Sequence, residues 1–391
     1  MSTTLPEFNK PLYIDTPEAL AAFSKQLMQA PWIAVDTEFL REKTYYPILC
    51  LIQVASPQGA LACIDPIALN DLNPLLDVFS CKDVLKVFHA CSQDQEILYY
   101  LSGAVPAPIF DTQIAAPLLG MREQMGYAAL VTEMTGTSLE KAYSRTDWSL
   151  RPLNQKQIDY ALDDVRYLSA VYLDMHQQLS SRNRLDWLKT EFAEYEAETR
   201  YSNDPEKAWM RVRAANRLKG GKLTVLQQLA KWREQTAQKS DRPRNWIMRD
   251  DVMMDIAKQL PDSIKALSSI RQFPDATVKK HGEYLLALVA QAINDKPESL
   301  PDVKRPVKTS ANQEAQADIL MAQLGLLAEQ HQLNPVSIAT RKHLLGLVAG
   351  NRDVPVMQGW RYEVAGKELL AMLEGQRSLS IQKHQLKIDG I

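Results

Sequence analysis

The sequence predicts an α/β domain built on a mixed sheet flanked by helices, followed by two small all-α domains. Three observations lead there. Four short apolar runs of strand character fall within the first 90 residues, helical periodicity takes over from Ile114 onward, and two non-periodic stretches divide what remains. At 391 residues the chain exceeds one ordinary core, so two or three domains are expected. A composition 46% hydrophobic and 24% charged is that of a globular chain rather than a disordered one. No apolar run approaches the roughly 18 residues that span a bilayer, which argues against a membrane protein. The opening "MSTTLPEFNK" has no basic start followed by an apolar stretch, so no export signal is expected and the cytoplasm is the expected compartment. Cys50, Cys63, Cys81 and Cys91 form no C-x-x-C pair and read as buried, reduced thiols.

Taken in order, "TPEALAAFSKQLMQ" has helical period, with Asp15 or Thr16 as N-cap. "WIAVDTEF", "ILCLIQVAS" and "ALACIDP" are strands spaced closely enough to be antiparallel neighbours. "NDLNPLLDVFS" is helical, "VLKVFHA" is a fourth strand, and "SQDQEILYYLSG" returns to helix. Long helices follow through "QKQIDYALDDVRYLSAVYLDMHQQL" and "WLKTEFAEYEAETR". Strands first and helices later imply a mixed sheet covered by helices. "YSNDPEK" breaks the pattern. Amphipathic helices follow in "LTVLQQLAKWREQTAQ", "RDDVMMDIAKQLP" and "HGEYLLALVAQAI". A second linker, "NDKPESLPDVKRPVKTSANQE", precedes a tail that reads as helical again. The expected domains are 1–204, 205–298 and 299–391.

Charge is divided the same way. Residues 1–204 carry 16 basic and 27 acidic side chains, residues 205–298 carry 18 and 11, and residues 299–391 carry 11 and 9. An acidic front joined to a basic middle suits parts that meet opposite charges, although a solvated helix surface gives the same count.

The chemistry is concentrated in a few acids. Alternation along a strand points Asp36 and Glu38 the same way, with Thr37 opposite. Two carboxylates so close repel unless a cation lies between them, and oxygen-only ligands suit Mg²⁺ or Mn²⁺ better than zinc. Alone, the pair also fits a strand end that has reached solvent. Asp94 opens the helix after the fourth strand, and Tyr160 and Asp164 sit four residues apart on one helical face. Alone, Asp94 fits a helix start favoured by the dipole, and Asp164 fits a surface acid, as does its neighbour Asp163.

"VDTEF", "HACSQDQEIL" and "YALDDV" together resemble the three motifs of the DEDD 3′→5′ exonucleases. Position 160 is Tyr and position 159 is Asp, which matches the tyrosine subclass rather than the histidine one. "TYYPILCLIQVAS", "FDTQIAA", "GYAALV" and "RTDWSLRPLNQKQIDYALDDV" extend the likeness to the ribonuclease D family over residues 10–200. "LQQLAKWREQTAQKSDRPRNWIMRDDVMMDIAKQLP" resembles a helicase-and-RNase-D C-terminal (HRDC) domain, and the tail resembles a second, divergent copy.

The resemblance implies a ribonuclease H-like sheet and hydrolysis of phosphodiesters with two divalent ions, Mg²⁺ or Mn²⁺. Such ions, about 3.5–4 Å apart, activate water and hold the departing oxygen. By resemblance Asp36, Glu38 and Asp164 hold the ion that carries the water. Asp36 bridges to the second ion, and Asp94 helps directly or through water. Tyr160, a phenol with an ordinary pKa near 10, is a poor base and serves to orient water and phosphate. The implied substrate is RNA, tRNA precursors above all, trimmed from single-stranded 3′ ends to nucleoside 5′-monophosphates by a monomer. A DNA exonuclease and a silent RNA-binding adaptor are the alternatives. The chain has no G-x-x-x-x-G-K-[ST] phosphate loop that would tie it to a helicase.

Several residues are candidates to touch RNA. Phe39 could stack on a terminal base or lie in the core. Arg145 and Arg151 could meet the backbone, with Trp148 between them as a possible loop anchor. Arg211, Arg213, Arg217, Lys219 and Lys222 could grip phosphates without reading bases. His89 reads as a structural histidine rather than a ligand, since imidazole suits zinc or iron better than magnesium.

Overall fold

The computed structural model describes residues 5–139, 143, 146–295, 297 and 309–390. Contacts gather the chain into two compact units: Met1–Glu38 with Cys50–Ala197 and Arg305–Ile391, and Phe39–Leu49 with Glu198–Lys304.

The first unit is organised by a six-stranded mixed sheet in the order β1-β4-β3-β2-β5-β6. Its strands are β1 (Leu12–Ile14), β2 (Trp32–Leu40), β3 (Ile48–Ala55), β4 (Leu61–Ile64), β5 (Leu85–Phe88) and β6 (Ile109–Asp111). β3 and β4 are antiparallel, as their close spacing predicts, while β1–β4, β2–β5 and β5–β6 are parallel. Strands β1 and β6 were not anticipated from sequence. At three residues each they are too short for an alternation to show. Ile33, Ala34, Leu51, Ile52, Ala62 and Val87 are wholly buried, so the central strands are apolar on both faces, as strands covered by helices on either side must be.

The helices of this unit are α1 (Pro17–Leu27), α2 (Asn73–Ser80), α3 (Ser92–Ser102), α4 (Thr112–Ala115), α5 (Tyr127–Thr135), α6 (Gln155–Ser181) and α7 (Trp187–Glu196). Thr16, one of the two expected caps, accepts from Ala19 N and opens α1. α6 begins with a capping box: the Asn154 side chain accepts from Gln157 N while Gln157 accepts from Asn154 N. Its Tyr172 ring lies 5.0 Å from both Trp32 and Phe110, which fixes the helix against the sheet.

The tail joins this same unit. Trp360 stacks on Trp187 at 4.6 Å and 3°, Arg361 pairs with Glu191 at 2.6 Å, and Arg184 donates to Leu118 O and to the carbonyl of His331. It is also not all-α. After helices that include Ala311–Gln330 and Arg341–Val348, β7 (Arg377–Gln382) and β8 (Gln385–Gly390) form an antiparallel hairpin. Its turn residues Lys383 and His384 both have positive φ, the type I′ requirement, without the Asn-Gly signal that would have announced it.

The second unit has its own core, drawn from Pro205–Arg211, α8 (Gly221–Ser240), α9 (Arg244–Ile247), α10 (Asp250–Gln259), α11 (Ile264–Ser268) and α12 (Asp275–Ala292). Trp209, Leu226, Leu229, Met253, Ile256 and Leu285 are its buried centre. The stretch "YSNDPEK", read as a break, runs into a 3₁₀ helix whose Ala208 and Trp209 are buried.

Candidate active site

Parallel register explains why distant acids meet. Trp32, Ile33 and Ala34 of β2 pair with Leu85, Lys86 and Val87 of β5, so the two strands emerge at one carboxyl edge, where α/β sheets bind ligands. β2 carries Asp36 and Glu38 past that edge. From β5 the chain turns through His89 and Ala90 into α3, which presents Asp94 in its first turn. Ala90 takes a left-handed φ of 61°, a conformation held from outside: the Asp111 carboxylate accepts from Ala90 N at 3.1 Å and Cys91 N at 2.7 Å.

α6 supplies the remaining groups. One carboxylate oxygen each from Asp36, Glu38 and Asp164 lies within 4.8 Å of the others. Asp94 stands beside this trio rather than in it and accepts from Thr37 Oγ1 at 2.5 Å. Asp163, expected on a solvated face, instead lines the same cavity, where it pairs with Arg166. Together with Tyr160, Tyr127, His89 and Lys156, Asp36 and Asp164 line a cavity of about 810 Å³.

The electrostatics follow from crowding in a poorly hydrated place. Burial, then Asp164, pushes Asp36 well above the carboxylate range. Burial, then Asp36, Asp164 and Asp94, pushes Glu38 up to about 9. Burial, then Asp163, takes Asp164 to about 7, and burial with the charge of Asp36 raises Asp94 well above its usual value. Carboxylates so destabilised as anions want either protons or a cation. The donor set is all oxygen and close enough to share an ion, and it fits a hard divalent metal.

Tyr160 is held by aromatic neighbours: Trp148 lies 6.2 Å away at 28° and Tyr143 lies 5.7 Å away edge-on. Burial, then Asp164, Glu38 and Asp36, raises its phenol above the ordinary value. It stays protonated and is a donor. Trp148 is the loop anchor, and Arg151 secures it. Arg151 Nε and Nη2 engage Asp65, Nη2 also reaches Cys50 O, and Nη1 reaches Trp148 O and Leu150 O. All five N–H groups are spent, so Arg151, expected to meet the RNA backbone, has none left for a phosphate. Arg145 lies outside the described residues.

His89, read as a structural histidine rather than a ligand, lines the same cavity as Asp36 and Asp164. Thr112 Oγ1 donates to Phe88 O, so it accepts from His89 Nδ1 at 2.9 Å, and burial keeps the ring neutral. Phe39 is half-buried. Arg211, Arg213, Arg217, Lys219 and Lys222 are exposed in the second unit, where Arg211 donates to Asn203 and where Arg213 and Arg217 line an open cavity of about 940 Å³ with Arg249 and Lys258. Tyr127, Asp111, Asp65 and the Thr37 hydroxyl carry no site signal of their own in the sequence, yet each supports a site residue or its loop. Tyr127 O–H donates to Asp164 O at 2.5 Å and so holds the turn of α6 that presents the acid. Its only signal in sequence was membership of "GYAALV".

Residues 11–180 match the 3'-5' exonuclease family model, and residues 222–289 match the HRDC domain. With its acid cluster at the sheet edge, the first unit is a 3′-5′ exonuclease of the divalent-metal-dependent DEDD class. Ribonuclease D of Sphingobium indicum is 41% identical over 386 residues, covering 97% of this chain and 98% of that protein. The ribonuclease D of Zymomonas mobilis is 39% identical, covering 96% and 97%. The crystal structure of Escherichia coli RNase D, an exoribonuclease involved in structured RNA processing, superposes with a TM-score of 0.81 at 30% identity, covering 94% and 99%. The catalytic core of RRP6 from Trypanosoma brucei matches with a TM-score of 0.55 at 25% identity over 75% of this chain and 84% of that one. The chain belongs to the ribonuclease D family, and it is a 3′-5′ exoribonuclease.

Proposed function

We propose that this chain trims the single-stranded 3′ ends of structured RNA precursors such as pre-tRNA, releasing nucleoside 5′-monophosphates, and that it works as a monomer in the cytoplasm. The observation that carries the chemistry is the trio Asp36, Glu38 and Asp164 sharing one small volume at the sheet edge, with Asp94 adjoining. These four residues would hold two Mg²⁺ or Mn²⁺ ions, which when bound supply a water of lowered pKa and stabilise the leaving 3′-oxygen. Tyr160, protonated and fixed by Trp148, donates a hydrogen bond that orients the attacking water and the scissile phosphate. Thr37 and Asp111 hold Asp94 and its helix, and Tyr127 holds Asp164. A half-buried Phe39 beside Glu38 offers a face for the terminal base.

Affinity is supplied elsewhere, because an acidic cleft repels a polyanion. Arg211, Arg213, Arg217, Lys219 and Lys222 bind phosphates without reading sequence. We read the chain as three domains, 1–204 with a ribonuclease H-like sheet, 205–298 an HRDC domain, and 299–391 a divergent HRDC-like domain. No helix among the described residues is long and apolar enough to cross a membrane. A time course on 3′-labelled and 5′-labelled pre-tRNA, with Mg²⁺, Mn²⁺ or chelator, reads polarity, product and stopping point together. Mononucleotides leaving the 3′ label first is the expected result. Equal attack on single-stranded DNA redirects the reading to a DNA exonuclease, and binding without cleavage to an adaptor.

A further inference from the structure

The strand that carries Asp36 and Glu38 does not end in its own unit. β2 is continuous over Trp32–Leu40, yet Phe39–Leu49 pack with Glu198–Lys304 in the second unit. The hairpin loop beyond Glu38 is therefore fastened by residues of α8 and α9. Tyr45 is the fastening point and is only 5% exposed. Its O–H donates to Glu234, whose carboxylate is almost fully buried. Arg244 closes the cluster: Nε reaches Glu234 Oε2 at 2.6 Å, Nη2 reaches Glu234 Oε1 at 2.6 Å and Tyr45 Oη at 2.9 Å, and the guanidinium lies 4.6 Å over the Tyr45 ring. Gln238 donates to the same phenol oxygen at 3.2 Å. The backbone is gripped too, for Asp241 Oδ1 accepts from Tyr45 N and Tyr46 N, each at 3.0 Å.

So many bonds to one loop exceed what a solvent-facing hairpin tip needs. A surface turn of this length is ordinarily free to fray. Here the tip is held by a bidentate arginine–carboxylate pair, a ring contact and two main-chain bonds. β2 carries the chain from Glu38 to Leu40 and a bent segment, 41–44, leads on to Tyr45, so only a short length of chain joins the held tip to the acids. A misplacement of about 1 Å at a reacting centre can lower a rate on the order of 10²-fold.

We propose that Tyr45, Glu234 and Arg244 are positioning residues for the hydrolytic centre: by fixing the loop that follows Phe39 they set the place of Phe39 and of its neighbour Glu38, and so act on bond cleavage. This rests on the reading of Asp36, Glu38 and Asp164 as that centre.

The test uses the full chain with Tyr45→Ala, Glu234→Gln and the conservative Tyr45→Phe, each checked by circular dichroism and thermal melting. Hydrolysis of a diribonucleotide is compared with that of a 24-nucleotide RNA in Mn²⁺. Amide hydrogen exchange at residues 36–40 is measured without metal. Tyr45→Ala and Glu234→Gln should lower kcat on both substrates at least tenfold, leave KM for the long RNA within twofold, and speed exchange at 36–40. Tyr45→Phe, which keeps the ring under Arg244 and the bonds to Asp241, should retain most of the rate. A diribonucleotide kcat within twofold of the parent, or unaltered exchange at 36–40, overturns the proposal. If Tyr45→Ala fails to fold, the near-isosteric Glu234→Gln decides. If the parent hydrolyses neither substrate, it is the nuclease reading that fails, and exchange alone still decides the anchor.

Discussion

At the scale of single residues, the protein places like charges together where hydration is poor. Asp36, Glu38 and Asp164 all have carboxyls raised by burial and by one another. A raised folded pKa means that the native state holds protons the unfolded chain has already lost, so stability falls as pH rises from about 4.5 towards 9. Asp36→Asn removes one charge from the crowd and should flatten that slope in the metal-free chain. At pH 8 a gain of about 1 kcal/mol would raise the melting temperature by roughly 1–2 °C, readable by calorimetry. The same substitution should lower RNA hydrolysis by several orders of magnitude. Tyr160→Phe should cost roughly 10- to 100-fold in kcat with unchanged folding, because the ring packing against Trp148 and Tyr143 survives while the O–H donor does not. Wild-type turnover by Tyr160→Phe would remove the phenol from the mechanism.

At the scale of elements, side-chain clamps rather than propensity aim the pieces. Asp111 fixes the β5–α3 turn, Arg151 the loop beneath Tyr160, and Glu234 the hairpin beyond Glu38. Burial alone would raise Glu234, but hydrogen bonds from Arg244 and Tyr45 outweigh it and hold the carboxyl below its usual 4.5. A depressed folded pKa contributes stability that is complete above about 4.5 and disappears as pH falls through the lower, folded value. In melts between pH 6 and 2 the parent should therefore lose stability more steeply than Glu234→Gln below pH 4.5. Parallel curves would mean that the pair contributes nothing to folding. The acids of β2 and the Tyr160–Asp164 spacing on α6 were legible in sequence, since period 2 and period 3.6 place them on shared faces. Arg151 was misread, because a guanidinium looks the same in sequence whether its N–H groups face solvent or a buried aspartate.

At the scale of the whole molecule, the proposed function divides work by charge: acids for the metals, a basic surface for the polyanion. Replacing Arg213 and Arg217 with alanine should weaken single-stranded RNA binding and reduce the slope of log K against log salt by about 1.4, two phosphate contacts' worth, in a fluorescence titration. An unchanged slope would take those arginines off the RNA path. The tail illustrates what pattern reading misses at this scale. Its helices were visible, but Trp187–Trp360 stacking and the Arg361–Glu191 pair join it to the first unit through residues far apart in the chain. The β7–β8 hairpin was hidden by a Lys383–His384 turn of unremarked composition.

Taken alone, the sequence determined the kinds of groups and their local faces: two carboxylates on one side of a strand, a tyrosine and an aspartate on one side of a helix, basic charge in the middle of the chain. These follow from backbone periodicity, which needs only near neighbours. Tertiary structure decided which groups meet. Parallel pairing of β2 with β5 put Asp94 beside Asp36, α6 brought Asp164 within 4.8 Å, and burial turned ordinary acids into ones that demand a cation or a proton. Those outcomes depend on long-range register and exclusion of water, and neither is written in the spacing of residues along a chain.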